Sequence, residues 1–163
     1  MDRALEALGS VLAQANAKAD IVIAGGAWMA LVLGSRGATK DIDVYVAPPA
    51  EPVRAASESV AQQLGLPADW LNDGIKGFFY GTPPQTLWRT YSGLRVYAVT
   101  ADYMLALKVF AARDADRADV RALMQHLGIG TISRLLDIVQ QYIPETLLTA
   151  KHQYFAESCL ESE

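Results

Sequence analysis

The stretch IVIAGGAWMALVLGSRGATKDIDVYV, residues 21–46, joins two strand-like segments through a glycine pair and a helix-like segment. The β-branched run Ile21 to Ala24 predicts a short strand, and Gly25-Gly26 ends it. Ala27 to Leu33 resumes helix-forming composition, with Gly34 and Gly37 closing the helix. Asp41 to Ala47 alternates polar and apolar residues and stops at Pro48-Pro49. That alternation predicts a strand with Ile42, Val44 and Val46 on one face and Asp41, Asp43 and Tyr45 on the other. Strand, turn, helix and strand in one short span indicate an α/β core.

The flanking segments extend this reading. Leu5, Leu8, Leu12 and Ala15, at spacings of three and four, predict a helix over 3–17 with one buried stripe. Glu51 to Leu64 predicts a helix entered through Pro52 and ended at Gly65. Residues 67–84 hold Trp70, Gly74, Gly77, Phe78, Phe79, Tyr80 and Gly81 and read as an irregular aromatic loop with at most one short strand. Thr86–Tyr91 and Leu94–Val99 flank Ser92-Gly93 and predict a β-hairpin. Thr100 is placed to cap a helix over 101–112, with further helices over 116–127 and from about Thr131 and Glu145. The expected architecture is a single domain of α/β (α+β) class: a mixed β-sheet flanked by helices (core about 1–127), with a helical C-terminal extension over about 131–158.

Composition agrees with this and narrows the function classes. A length of 163 residues is one domain's worth, since single domains run about 100–200 residues. With 52% hydrophobic and 20% charged residues, the chain can build a core and does not read as disordered. Net charge is -4, with a pI near 5.1, which argues against coating nucleic acid through overall charge. A single cysteine, Cys159, excludes an intrachain disulfide and a cysteine zinc site. Ile21 to Leu33 is the most apolar stretch, but at 13 residues it is broken by glycines and falls short of the about 20 needed to span a bilayer. The N-terminus lacks the apolar run of a signal peptide. The expectation is a cytoplasmic protein.

The chemistry lies in the order of parts. A glycine pair between strand and helix lets backbone approach a ligand closely and turns N–H groups toward an anion such as a polyphosphate. Aspartates at i and i+2 on a strand project the same way. Their carboxylates suit Mg²⁺, a hard cation commonly held by one or two carboxylates plus substrate phosphates. This is equipment for phosphoryl or nucleotidyl transfer. The plain alternatives are a turn for Gly-Gly and a solvated strand face for Asp-x-Asp.

With 14 residues between Gly26 and Asp41, the segment resembles the minimal nucleotidyltransferases of the DNA polymerase beta-like superfamily. Arg36, Thr39, Asp41, Ile42 and Asp43 look like the branch that includes the AbiEii and MenT toxins and a related nucleotidyltransferase-like group. The stretch Leu105 to Arg113, followed by Asp116, Asp119 and Leu123, is similar to that branch's helical pattern. The resemblance implies a nucleotidyltransferase-like sheet and Mg²⁺-dependent transfer of a nucleoside monophosphate from a nucleoside triphosphate (NTP), ATP among the candidates, to a hydroxyl acceptor. It assigns the metal to Asp41 and Asp43, and the triphosphate to Gly25, Gly26, Arg36 and Thr39. It further gives phosphate neutralisation to Lys108, the distal acid to Asp116, and supporting roles to Arg113 and Asp119 as an ion pair. An RNA acceptor such as a tRNA end and a cognate antitoxin partner follow from the toxin-like resemblance; a protein hydroxyl or a small molecule are the other acceptors.

One departure matters. The superfamily often carries a third carboxylate on a later strand, and Leu94 to Val99 offers only Arg95 and Tyr97. Asp69 and Asp73, in the string Asp69-Trp70-Leu71-Asn72-Asp73, are alternative acids; a loop tied by Asx turns around a buried Trp is the plainer reading. His126 and His152 have no metal-ligand spacing and read as surface or packing residues. Lys76, Arg89 and Arg95 form a candidate basic patch for RNA, with ordinary surface charge as the alternative. Two other classes compete with the enzyme: a non-catalytic nucleotidyltransferase-like module that binds a nucleotide or a protein, and a dimeric structural protein built on the C-terminal helices.

Overall fold

The β-branched run of the quoted stretch becomes β1, Ala19–Ile23, in the computed structural model, which describes residues 1–37, 39, 41–79 and 81–160, the side chains of Lys76 and Phe78 excepted. β1 holds the central place in the sheet, and Ile21 and Ile23 have no exposure, as befits a strand with neighbours on either side. β2, Ile42–Val46, lies antiparallel to it with Val22 opposite Tyr45, and buries Ile42, Val44 and Val46 while Asp43 and Tyr45 stay half-buried. The predicted alternation is therefore the observed one.

On the other side of β1, β5 (Leu94–Val99) runs parallel to it, and β4 (Gln85–Tyr91) pairs antiparallel with β5 through the predicted hairpin. A register shift between Leu87 and Arg89 marks a bulge in the edge strand. β3 is a two-residue strand, Leu71–Asn72, parallel to β2. The sheet is mixed and five-stranded, in the order β3-β2-β1-β5-β4.

The chain divides into two compact units, Met1–Gly77 with Gln85–Val99, and Phe78–Pro84 with Thr100–Glu163. In the first, helix α1 (Asp2–Gln14) buries Ala4, Leu5, Leu8, Gly9 and Leu12. Ala15, expected in that stripe, is the C-cap and is exposed. Gly9 abuts the hairpin so closely that a β-carbon there would come 2.7 Å from the Tyr91 Cβ. Asp2 accepts hydrogen bonds from Arg89 and from the Tyr91 hydroxyl, tying the start of α1 to β4. Helix α3 spans Glu51–Leu64, with Pro52 in its first turn and Gly65 in the left-handed C-cap, as the sequence predicts.

Helix α2, Gly25–Leu31, departs from prediction at both ends. The glycines are its first two residues rather than a turn before it, because Ala24 keeps an extended backbone and its carbonyl already accepts the Trp28 N–H at 3.2 Å. The buried Trp28 indole donates to the Val99 carbonyl at 2.8 Å, fixing α2 to the end of β5. The helix stops at Leu31, ahead of Gly34.

The second unit is helical: α4 (Ala101–Ala111), a 3-10 turn at Asp114–Asp116, α5 (Arg117–Leu127), α6 (Ile132–Tyr142) and α7 (Ala150–Leu160). The sequence placed the end of the core near residue 127, whereas α4 and α5 group with the C-terminal helices. Thr100 holds the N-cap position of α4, but its hydroxyl makes no capping bond; Asp102 accepts the Tyr103 N–H at 2.9 Å instead. Thr131 does cap α6, accepting from the Arg134 N–H. The helix expected from Glu145 begins only at Ala150, after a 3-10 turn at Glu145–Leu147. Arg121 donates to the carbonyl of Cys159, and Arg117 lies over the Phe155 ring with its guanidinium on Ser158. Arg121 thereby satisfies carbonyls of Ser158 and Cys159 at the end of α7 with a cation, the favoured arrangement at a helix C-terminus. Among the described residues, no helix is long and apolar enough to cross a membrane.

Candidate functional site

The end of the sheet where β1 gives way to α2 gathers five of the residues singled out by sequence: Gly25, Gly26, Arg36, Thr39 and Asp43. Gly25 adopts φ +63, a left-handed conformation costly to any residue with a side chain. A β-carbon on it would come 2.9 Å from Asp43 Oδ2. The Asp43 carboxylate therefore occupies the space that only glycine leaves open. Over Gly26, the Thr39 hydroxyl and an Arg36 guanidinium nitrogen lie 3.8 and 3.9 Å from the equivalent point. Thr39 Oγ1 donates to the Asp41 carbonyl at 2.8 Å, closing the loop that leads into β2. Asp41 precedes the strand and is exposed.

The other neighbour of Asp43 was not recognised as part of the site from sequence. β2 and β3 pair with Asp43 opposite Asn72. Burial of Trp70 holds β3 there: its indole donates to the Ser57 carbonyl at 3.0 Å, and its own carbonyl accepts the Ile42 N–H at 2.7 Å. Asn72 Oδ1 accepts the Gly74 N–H at 3.1 Å, the Asx turn expected of this string. A β-carbon at Gly74 would meet Asn72 Oδ1 at 2.7 Å and Asp43 Oδ1 at 4.0 Å, so Gly74 also belongs to this corner. Asp69 is exposed, whereas Asp73 keeps one buried carboxylate oxygen with no hydrogen-bond partner. The sequence signal was the short Leu71-Asn72-Asp73-Gly74 run itself; which strand it would join was not legible.

A metal fits this corner in a limited form. Asp41 and Asp43 supply hard oxygen donors, and neither Gly25 nor Gly74 sets a side chain against the Asp43 carboxylate. Among the described residues, no group of three or more His, Cys, Asp or Glu side chains is arranged to hold a metal by protein ligands alone. Mg²⁺ tolerates that poverty, since it commonly binds through one or two carboxylates together with substrate phosphates and water.

The remaining predicted site residues lie in the helical unit and form a cluster of their own. Lys108 Nζ sits 2.5 Å from Asp116 Oδ1 and 2.6 Å from Asp119 Oδ2. Lys108 and Asp119 are buried, at 6% and 3% exposure, so the ammonium is shared by two carboxylates that bind α4 to α5. Arg113, at the bend between those helices, is exposed.

Other candidates are accounted for structurally. Arg89 pairs with Asp2 and lies 4.4 Å above the Trp88 ring, while Arg95 makes a two-pronged pair with Asp20 at 2.7 Å. Both patch arginines thus have their charge matched locally; the Lys76 side chain lies outside the described residues. His152 stacks on Phe110 at 5.0 Å, and His126 is exposed. A cleft of about 510 Å³ opens at the opposite end of β1, with Lys18, Asp20, Pro48, Tyr91 and Arg95 in its walls, and none of the motif residues lines it. At the glycine corner, by contrast, the Arg36 guanidinium and the Asp43 carboxylate meet the closely approached backbone of Gly25-Gly26. Comparison of the chain with protein-family models, with curated proteins and with solved structures finds no match.

Proposed function

We propose that this chain is a Mg²⁺-dependent nucleotidyltransferase of the polymerase beta-like kind, transferring a nucleoside monophosphate from an NTP to a hydroxyl acceptor. The observation that carries the reading is the convergence of Asp43, Arg36 and Thr39 on Gly25-Gly26. In it, the side-chain-free backbone at Gly26 admits phosphate oxygens, the Arg36 guanidinium beside it orients them, and the Thr39 hydroxyl holds the loop in place through its bond to the Asp41 carbonyl. Asp41 and Asp43 would hold Mg²⁺, which supplies charge neutralisation at the transferred phosphorus and the departing pyrophosphate. Nothing in this assignment depends on the helical unit. Lys108, which resemblance gives to the triphosphate, already serves two carboxylates, and here it holds α4 against α5.

A second reading is favoured by one observation: no third acid joins Asp41 and Asp43 among the described residues. In that reading the chain is a non-catalytic module that binds a nucleotide or a protein. Titration calorimetry with ATP, CTP, GTP and UTP, with and without Mg²⁺, separates the two, using wild type and the Asp41→Ala, Asp43→Ala double variant. Mg²⁺-dependent binding lost in the variant supports the enzyme, and metal-independent binding overturns it. Incubation with each α-labelled NTP and cell extract then shows whether RNA, such as a tRNA end, protein or a small molecule takes the label. Co-purification of an antitoxin-like partner would be sought only after label is found in RNA.

A further inference from the structure

The row of groups across the sheet end has a third member that the nucleotidyltransferase reading does not use. The glycine pair that opens α2 follows β1, Asp43 stands on β2 and Asn72 on β3, and these three strands are neighbours. Adjacent strands lie about 4.8 Å apart, so the row spans roughly 10 Å. Asp43 and Asn72 are register partners in a parallel pair, and their side chains leave the same face of the sheet. Asn72 is held in place, since its Oδ1 accepts the Gly74 N–H. Both Nδ2 hydrogens are left without a protein partner among the described residues.

We infer that Asn72 is a binding residue for a sugar hydroxyl of the nucleotide, making the site selective for ribonucleotides over 2′-deoxyribonucleotides. The inference rests on the nucleotidyltransferase reading. A nucleotide whose outer phosphates lie at Gly25-Gly26 beside Arg36, and whose reacting phosphate lies at Asp43, has its sugar as the next group along the row. The span from turn to β3 matches that order of groups. An amide is suited to this position: it donates to a hydroxyl oxygen, and being neutral it neither repels phosphate nor competes for the cation at Asp43. A hydroxyl that loses its partner in a site built to bond it weakens binding substantially, which is how such sites discriminate.

The test is competitive binding of matched ribo- and 2′-deoxyribonucleoside triphosphates in the presence of Mg²⁺, to wild type, Asn72→Ala and Asn72→Ser. Serine retains an acceptor oxygen for the turn to Gly74 while removing the amide donors, and the ratio of affinities is insensitive to the fraction folded. Wild type should prefer the ribonucleotide by about tenfold, the value of one well-placed hydrogen bond. Both variants should bring the ratio to near one by weakening the ribonucleotide alone. Equal loss for both nucleotides, or an unchanged ratio, overturns the inference. A wild type that binds both sugars equally overturns this inference and leaves the nucleotidyltransferase reading standing. A wild type that binds no NTP with Mg²⁺ overturns both.

Discussion

The carboxylate of Asp43 lies over Gly25, one oxygen 2.9 Å from the point where a β-carbon on that glycine would stand. Strand and turn are thereby coupled: the residue that carries the acid requires the residue at the turn to carry nothing. Gly25→Ala should lose about 1–2 kcal/mol from the left-handed backbone alone, and more from displacing Asp43. Gly26→Ala meets nothing nearer than 3.8 Å and lies in a helix, where alanine replaces glycine with a gain of roughly 0.5–1 kcal/mol. Urea unfolding should therefore separate the two variants, while calorimetry finds Mg²⁺-dependent nucleotide binding weakened in both. Equal stabilities would show that the Asp43 contact does not constrain the turn.

Lys108 sits between Asp116 and Asp119 with little access to water. Replacing it with methionine leaves two carboxylates facing one another without a cation, at a cost of about 3–5 kcal/mol. Changing all three residues to apolar ones of similar volume should recover most of that loss, since a buried ion cluster contributes little net stability over good packing. Denaturant midpoints of the single and triple variants check this. A Lys108→Met variant as stable as wild type would mean that the ammonium is dispensable to α4 and α5.

Two tyrosines should ionise late. Burial, reinforced by the hydrogen bond to Asp2, pushes the Tyr91 hydroxyl up to about 12. Burial together with the bond to Asp102 does the same for Tyr142, also to about 12. A folded value above the unfolded one, about 10, means that both groups stabilise the fold below pH 10 and lose that contribution as pH climbs from 10 toward 12. An absorbance titration of phenolate should show a late phase that Tyr91→Phe and Tyr142→Phe each reduce by one group. On the acid side, hydrogen bonds from Tyr91 and then Arg89 lower Asp2 below 3.8. Its contribution is present above 3.8 and is lost as pH falls below it. Asp2→Asn should flatten that part of a melting-temperature profile, by a small amount because the pair is exposed.

Cys159 is 3% exposed, and burial raises its thiol above the ordinary value. Reaction with a thiol reagent near neutral pH should accordingly be slow in the native protein, since thiolate is the reactive form. Arg121→Ala removes the donor to the Cys159 carbonyl and should speed labelling by loosening the end of α7. An unchanged rate would show that this contact does not hold the helix down.

Local pattern was enough for much of this molecule. The alternation in residues 42–46, the helix from Glu51 with its glycine stop, and the hairpin around Ser92-Gly93 follow from side-chain period and turn chemistry, which act between residues close in sequence. The same holds for the acid at Asp43 and the glycine pair, whose types and spacing were visible in one stretch. Other features depended on residues far apart. Asn72 joined the site because a two-residue strand paired with β2 in one register, and a shift of one position would have turned it to the other face. Lys108 became an internal counter-ion only once α4 and α5 packed together. Periodicity and turn residues determined which segments form and which faces they bury; strand register and helix packing decided which polar groups meet, because those choices balance desolvation and pairing across the chain rather than along it.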